Sequence, residues 1–135
     1  MSEENIEIVR RAFDAAVREW DRTAAERVLD PAVEFHGTIG GIREGLVLRG
    51  LDELERDLHQ EELEVWEERR FEAEKFIDRG DRVIVLMHEF RRGKGSGIEV
   101  EVDTAVIFDV RNGRVVRIQG YLDRVQALEA ARLRE

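Results

Sequence analysis

The sequence predicts an α+β fold in which three N-terminal helices pack on a curved antiparallel sheet and a short helix closes the chain. Three observations carry that reading. From Ile98, residues Val100, Val102, Thr104, Val106, Phe108 and Val110 fall on one side at a period of two, and Glu99, Glu101, Asp103 and Asp109 fall on the other. That alternation describes a strand with one face in a core and one in water. Asn112-Gly113 follows, a hairpin turn whose two residues tolerate positive φ, and the chain returns through Val115, Val116 and Ile118 to Tyr121. Helix-period segments precede this ribbon instead of alternating with its strands, which argues against a doubly wound sheet.

The elements follow in order. Ile6, Val9, Phe13, Ala16, Val17 and Trp20 recur at three- and four-residue steps and mark one face of a first helix. Ser2 is placed to cap it, and Glu3 and Glu4 sit at the positive end of its dipole. Thr23-Ala24-Ala25-Glu26 matches a capping box and opens a short second helix, which Asp30-Pro31 ends. Ala32 to His36 reads as a brief strand with Val33 and Phe35 on one side. Gly37 to Gly45 reads as a glycine-rich surface loop, with a pocket rim as the other use for it. It lacks the Lys-Ser/Thr ending and the strand–loop–helix frame of a phosphate loop. Leu51, Leu54, Leu58, Val65 and Trp66 mark a third helix, with His59 on its wet side. Strands then run from Phe71 to Asp78 and from Arg82 to Arg91, turned at Arg79-Gly80-Asp81, and Arg91 to Gly97 is a basic hairpin loop. Asp123-Arg124-Val125-Gln126 has the form of another capping box and starts a terminal helix through Ala127, Leu128 and Ala131.

Length and composition bound the function. The chain of 135 residues reads as one domain over 1–135, large enough for a core without staples. It has no cysteine, which removes disulfide and thiol chemistry and suits a reducing cytoplasm. The acidic start Met1-Ser2-Glu3-Glu4 is not a signal peptide, and no apolar run is long enough to span a bilayer. A net charge of -9 sets the chain against nucleic acid and anionic membrane as partners.

Several stretches together resemble a known family. They are Asn5-Ile6-Glu7-Ile8-Val9-Arg10-Arg11-Ala12-Phe13, Leu29-Asp30-Pro31-Ala32-Val33-Glu34-Phe35-His36, Arg49-Gly50 and Asp81-Arg82-Val83. Gly95-Ser96-Gly97, Asn112-Gly113-Arg114-Val115-Val116-Arg117-Ile118 and the ending Tyr121-Leu122-Asp123-Arg124 complete them. The chain resembles the nuclear-transport-factor-2-like (NTF2-like) cone, and within it the SnoaL-like proteins related to polyketide cyclases and ketosteroid isomerase. The resemblance implies a cone with an apolar cavity at its wide end, and a homodimer. It does not choose an activity, because this fold hosts many.

Carried over residue by residue, the family's chemistry does not match. The steroid isomerases' tyrosine falls at Phe13, their base at Phe35 and their second acid at Thr104. Neither phenylalanine can move a proton, and threonine is a poor acid donor. The acid attributed to the cyclases falls at Gly120 and the histidine at Val106. The remaining acid–base candidates are Asp123, His36 and Tyr121, with Asp123 read first as the cap of the last helix. Residue type alone would allow a metal shared by His36, His88 and Glu89, but nothing in their spacing supports one, and no metal or cofactor is expected.

The strand faces suggest a pocket lined by Phe13, Trp20, Phe35, Val102, Thr104, Val106 and Phe108, with Tyr121 nearby. Mostly apolar walls with a few polar groups are the usual make-up of a small-ligand site. The first reading is therefore a cavity for a small apolar or aromatic molecule. The second is an enzyme using Asp123, His36 or Tyr121 as acid and base. The third is an interaction module whose free sheet face, with Ala105 and Ile107, pairs two copies.

Overall fold

The computed structural model describes residues 2–133. Helix α1 spans Ser2–Ala12, with Glu3 and Glu4 in its first turn and Arg10 and Arg11 in its last, charges that suit both ends of its dipole. The side chain of Ser2, expected as its cap, lies outside the described residues. Beyond Ala12 the helix widens over Phe13–Arg18, and the Glu19 N–H reaches back to the Asp14 carbonyl at 3.3 Å. The wider turn shifts the buried face, so that Phe13 and Ala15 both point into the core. Helix α2 is Arg22–Val28, and its cap is Asp21, whose carboxylate accepts from the Ala24 N–H at 3.1 Å. The capping box expected at Thr23 is thus displaced by a better acceptor two residues earlier.

Strand β1, Leu29–Ile39, outruns the brief strand expected over Ala32 to His36. Pro31 falls in the ladder gap between Leu29 and Glu34, where its missing N–H is not needed. Gly37 belongs to the strand, not to a loop. A Cβ there would stand 1.8 Å from the Arg43 carbonyl oxygen, so the glycine marks the close return of the chain into β2, Val47–Arg49. The third helix is present as two short pieces, α3 Gly50–Leu54 and α4 Glu61–Val65, joined by a wider turn over Glu55–Gln60. His59 is half-buried within that turn, and its Nδ1 is shielded from water without a partner among the described residues, so the wet-side placement does not hold. Trp66 begins the next strand instead of ending the helix.

The remaining strands are β3 Trp66–Arg79, β4 Arg82–Gly93, β5 Glu99–Arg111 and β6 Arg114–Tyr121, followed by α5, Arg124–Leu133. Asn112 (φ 53) and Gly113 (φ 78) make the turn between β5 and β6, as their sequence predicts. The sheet is curved, unclosed and ordered β2-β1-β6-β5-β4-β3. It is not wholly antiparallel: β1 and β6, the first and last long strands, run parallel.

Each face of the sheet has its own core. Inside the curve, Val9, Phe13, Leu54, Val85, Val106, Phe108 and Ile118 form one buried cluster, with the rings of Phe13 and Phe76 edge to face at 6.4 Å. Outside it, Ile84, Ala105, Ile107 and Tyr121 pack beneath Ala127 and Ala131 of α5. Ala105 and Ile107 are 0% and 3% exposed, so the face offered for dimer formation is already covered by the chain's own last helix. Arg124 fastens that helix down, donating to the carbonyls of Thr104 (3.1 Å) and Met87 (2.9 Å). No helix among the described residues is long and apolar enough to cross a membrane.

Candidate functional site

A cavity of about 330 Å³ lies inside the curve. Strand alternation sets its walls, because residues paired across neighbouring strands share a face. Met87, Glu89 and Arg91 of β4 face inward with Phe71 and Arg69 of β3 and Val102 and Val106 of β5. Phe35, Gly37 and Thr38 of β1 and Gly120 of β6 make the far wall, and Ala16, Val17 and Leu58 come from the helices. Ile42, Val65 and Leu122 line the mouth while remaining exposed to solvent. The walls are largely apolar, as small-ligand sites are.

One carboxylate is sunk into this apolar lining. Glu89 is 7% exposed. One of its oxygens accepts from Arg91 Nη1 at 2.6 Å and the other from the Thr104 hydroxyl. A buried charge of this kind needs such partners to stand in for lost water. Arg91 also lies over the rings of Phe71 (5.1 Å) and Trp66 (5.7 Å), which holds its guanidinium flat against the wall. Arg69 is placed differently. It is half-buried, and its Nη1 donates to the Leu58 carbonyl at 3.4 Å. Burial pushes its guanidinium down from the usual arginine value, Glu62 opposes that, and the positive charge of Arg91 adds to it.

The expected site residues separate into two groups. Phe35, Val102 and Val106 line the cavity. Thr104, 1% exposed, stands behind the wall and reaches it through Glu89. Phe13 and Phe108 are packed into the core, at 1% and 0% exposure, and do not line the hollow. Trp20 turns away from it, its indole N–H donating to Glu55 at 2.8 Å beside a separate charged surface cleft.

All three acid–base candidates fall outside the cone. Asp123 is exposed and caps α5, accepting from the N–H groups of Val125 (2.8 Å) and Gln126 (3.3 Å). Tyr121 pairs with Ala105 and lies in the outer core, because one residue of register separates it from inward-facing Gly120. His36 pairs with Gln119 on the same outer side and bonds Glu34 at 3.0 Å. His88 also points outward, between Asp103 (2.7 Å) and Glu101 (2.9 Å). The trio His36, His88 and Glu89 is therefore divided by the sheet, and no group of His, Cys, Asp or Glu among the described residues is spaced to hold a metal.

Positions 35, 106 and 120 do line the cavity, but this chain fills them with Phe35, Val106 and Gly120. A Cβ at Gly120 would stand 2.6 Å from the Thr38 hydroxyl, so Thr38 occupies the space an acid there would need. The charged groups that reach the hollow are Glu89, Arg91, Arg69, Arg43 and Glu62, none of them among the expected pocket residues. For Glu89 and Arg91 the signal was positional: Val83, Val85 and Met87 continue at a period of two into them.

Residues 9–118 match the SnoaL-like domain family. No protein among those with curated function matches the chain. Among solved structures, an NTF2-like protein from Burkholderia thailandensis is 25% identical with a TM-score of 0.77, the alignment covering 93% of this chain and 95% of that one. A putative SnoaL-like polyketide cyclase from Jannaschia is 20% identical with a TM-score of 0.72, covering 96% and 92%. TerC, co-crystallized with polyporic acid, is 23% identical with a TM-score of 0.73, covering 96% and 98%.

Proposed function

The chain belongs to the SnoaL-like domain family, and from that premise we propose that its cone binds a small, mainly apolar or aromatic molecule. The observation that carries this is the hollow itself: about 330 Å³ between Phe35, Met87, Val102 and Val106 that the chain's own side chains leave open. A cavity of that size and lining is within the range used for small organic ligands. The structure of TerC with polyporic acid shows a similar fold meeting a small molecule, and it supports the class of ligand without specifying it. Native mass spectrometry of protein purified from its own host tests the reading. A co-purifying small molecule that is lost in Val106→Trp, which fills the hollow, is the expected result. A ligand retained by that variant places binding elsewhere and ends this reading.

Glu89 favours a second reading, in which the bound molecule is also transformed. Where a bound molecule displaces the Thr104 hydroxyl, the freed Glu89 oxygen is placed to take a proton from a carbon or oxygen acid, a role worth about 10²–10⁴ in rate. Glu89→Gln would then abolish turnover while ligand binding persists. Turnover unaffected by this change would leave binding alone.

A further inference from the structure

Resting on the reading of the cone as a ligand site, we propose that its ligand is a small carboxylate with an apolar body, the carboxylate held by Arg69 and the body lying on Phe35, Val102 and Val106. The first support is charge. The chain carries a net charge of -9, yet the charged side chains lining this cavity are three arginines (43, 69 and 91) against two glutamates (62 and 89). The charged lining of this apolar hollow thus leans positive in an acidic protein.

The second support is how those charges are used. Glu89 and Arg91 neutralise each other at 2.6 Å, and the second oxygen of Glu89 takes the Thr104 hydroxyl. That pair is complete without a ligand. Arg69 is not: a guanidinium carries five N–H donors in a fixed fork, and Arg69 has one long bond, to Leu58, and the face of Phe71 at 5.9 Å. Glu62 acts on it only at a distance, and the like charge of Arg91 stands on its other side. Neither Arg69 nor Arg43 is ion-paired with any carboxylate among the described residues. A carboxylate entering the cavity would take donors of Arg69 that the Leu58 carbonyl leaves free and offset the like charge of Arg91.

The test uses two probes of one shape, naphthalene-2-carboxylate and naphthalene-2-carboxamide, titrated calorimetrically into the full chain. The expected result is a preference of about tenfold for the carboxylate, the usual worth of a charge-assisted bond. Arg69→Met should erase that preference, and Arg69→Lys should keep part of it. Equal affinity for the two probes overturns the carboxylate inference while the cavity reading stands. A preference that survives Arg69→Met overturns the assignment to Arg69. Binding of neither probe overturns both readings. Should Arg69→Met fail to fold by circular dichroism, the wild-type pair and Arg69→Lys still decide.

Discussion

Strands β4 and β5 carry two polar clusters back to back, one residue apart in each strand. On the outer face His88 bonds Asp103 and Glu101. On the inner face Glu89 bonds Arg91 and Thr104. The ingredients are alike, and the surroundings are not. The side chains of Asp103 and Glu101 are 58% and 63% exposed, whereas that of Glu89 is 9% exposed. Water screens the outer cluster, so its members can come and go at little expense. The inner cluster has no such substitute, and each member depends on the others. One step along a strand thus separates a solvated surface pair from a group that must be satisfied and that a ligand would touch.

Substitutions can break this contrast, and the largest effect belongs to the packing under the inner face. Phe108→Ala should lower stability by about 3–5 kcal/mol in chemical denaturation; a change near zero would contradict burial of that face. Glu89→Ala should lose about 2–4 kcal/mol, because Arg91 is left beside an apolar wall without its counter-charge. Thr104→Val should lose about 1–2 kcal/mol by stranding one oxygen of Glu89, read in the same assay. His88→Gln should have the smallest effect at neutral pH, and it sharpens the contrast through its pH dependence. The two outer carboxylates, Asp103 first, raise His88 from 6.5 to about 9. Its folded-state value lies above its unfolded one, so its stabilising contribution is complete below about 6.5 and fades as pH rises through about 9. Asp103, lowered chiefly by its bond to His88, contributes above its unfolded value and loses that contribution on acidification. The gap between wild type and His88→Gln should therefore be widest in mildly acidic solution and close above pH ~9. An NMR titration of the His88 ring with a midpoint at the ordinary histidine value would remove the outer cluster from the comparison.

The same contrast explains what could be read from the sequence. β5 was legible because its inner positions are apolar at a period of two apart from Thr104, and Asn112-Gly113 located its turn. β4 was harder. Ile84 and Leu86 are apolar on one face and Val83, Val85 and Met87 on the other, since α5 covers part of the outside. With both faces apolar, the inward parity of Glu89 and Arg91 does not stand out. Tyr121 and His36 were misplaced because near a strand end one residue of register decides inside from outside, and His88 was left unplaced because both faces of β4 are apolar beside it. Asp123 was read correctly as a cap because that role depends only on neighbours in sequence. The two wider helical turns, over Phe13–Arg18 and Glu55–Gln60, left no periodic mark, and they moved Ala15 inward and His59 partly out of water.

The parallel seam between β1 and β6 has a consequence for how this protein is made. Until Ile118 has left the ribosome, β1 has only the three-residue β2 beside it, and the meander of β3, β4 and β5 ends on a bare edge. Pairing of β1 with the long strands therefore waits for β6, a contact between segments far apart in sequence, of the kind that slows folding. During that interval the exposed strand edges are the part of the nascent chain most in need of a chaperone.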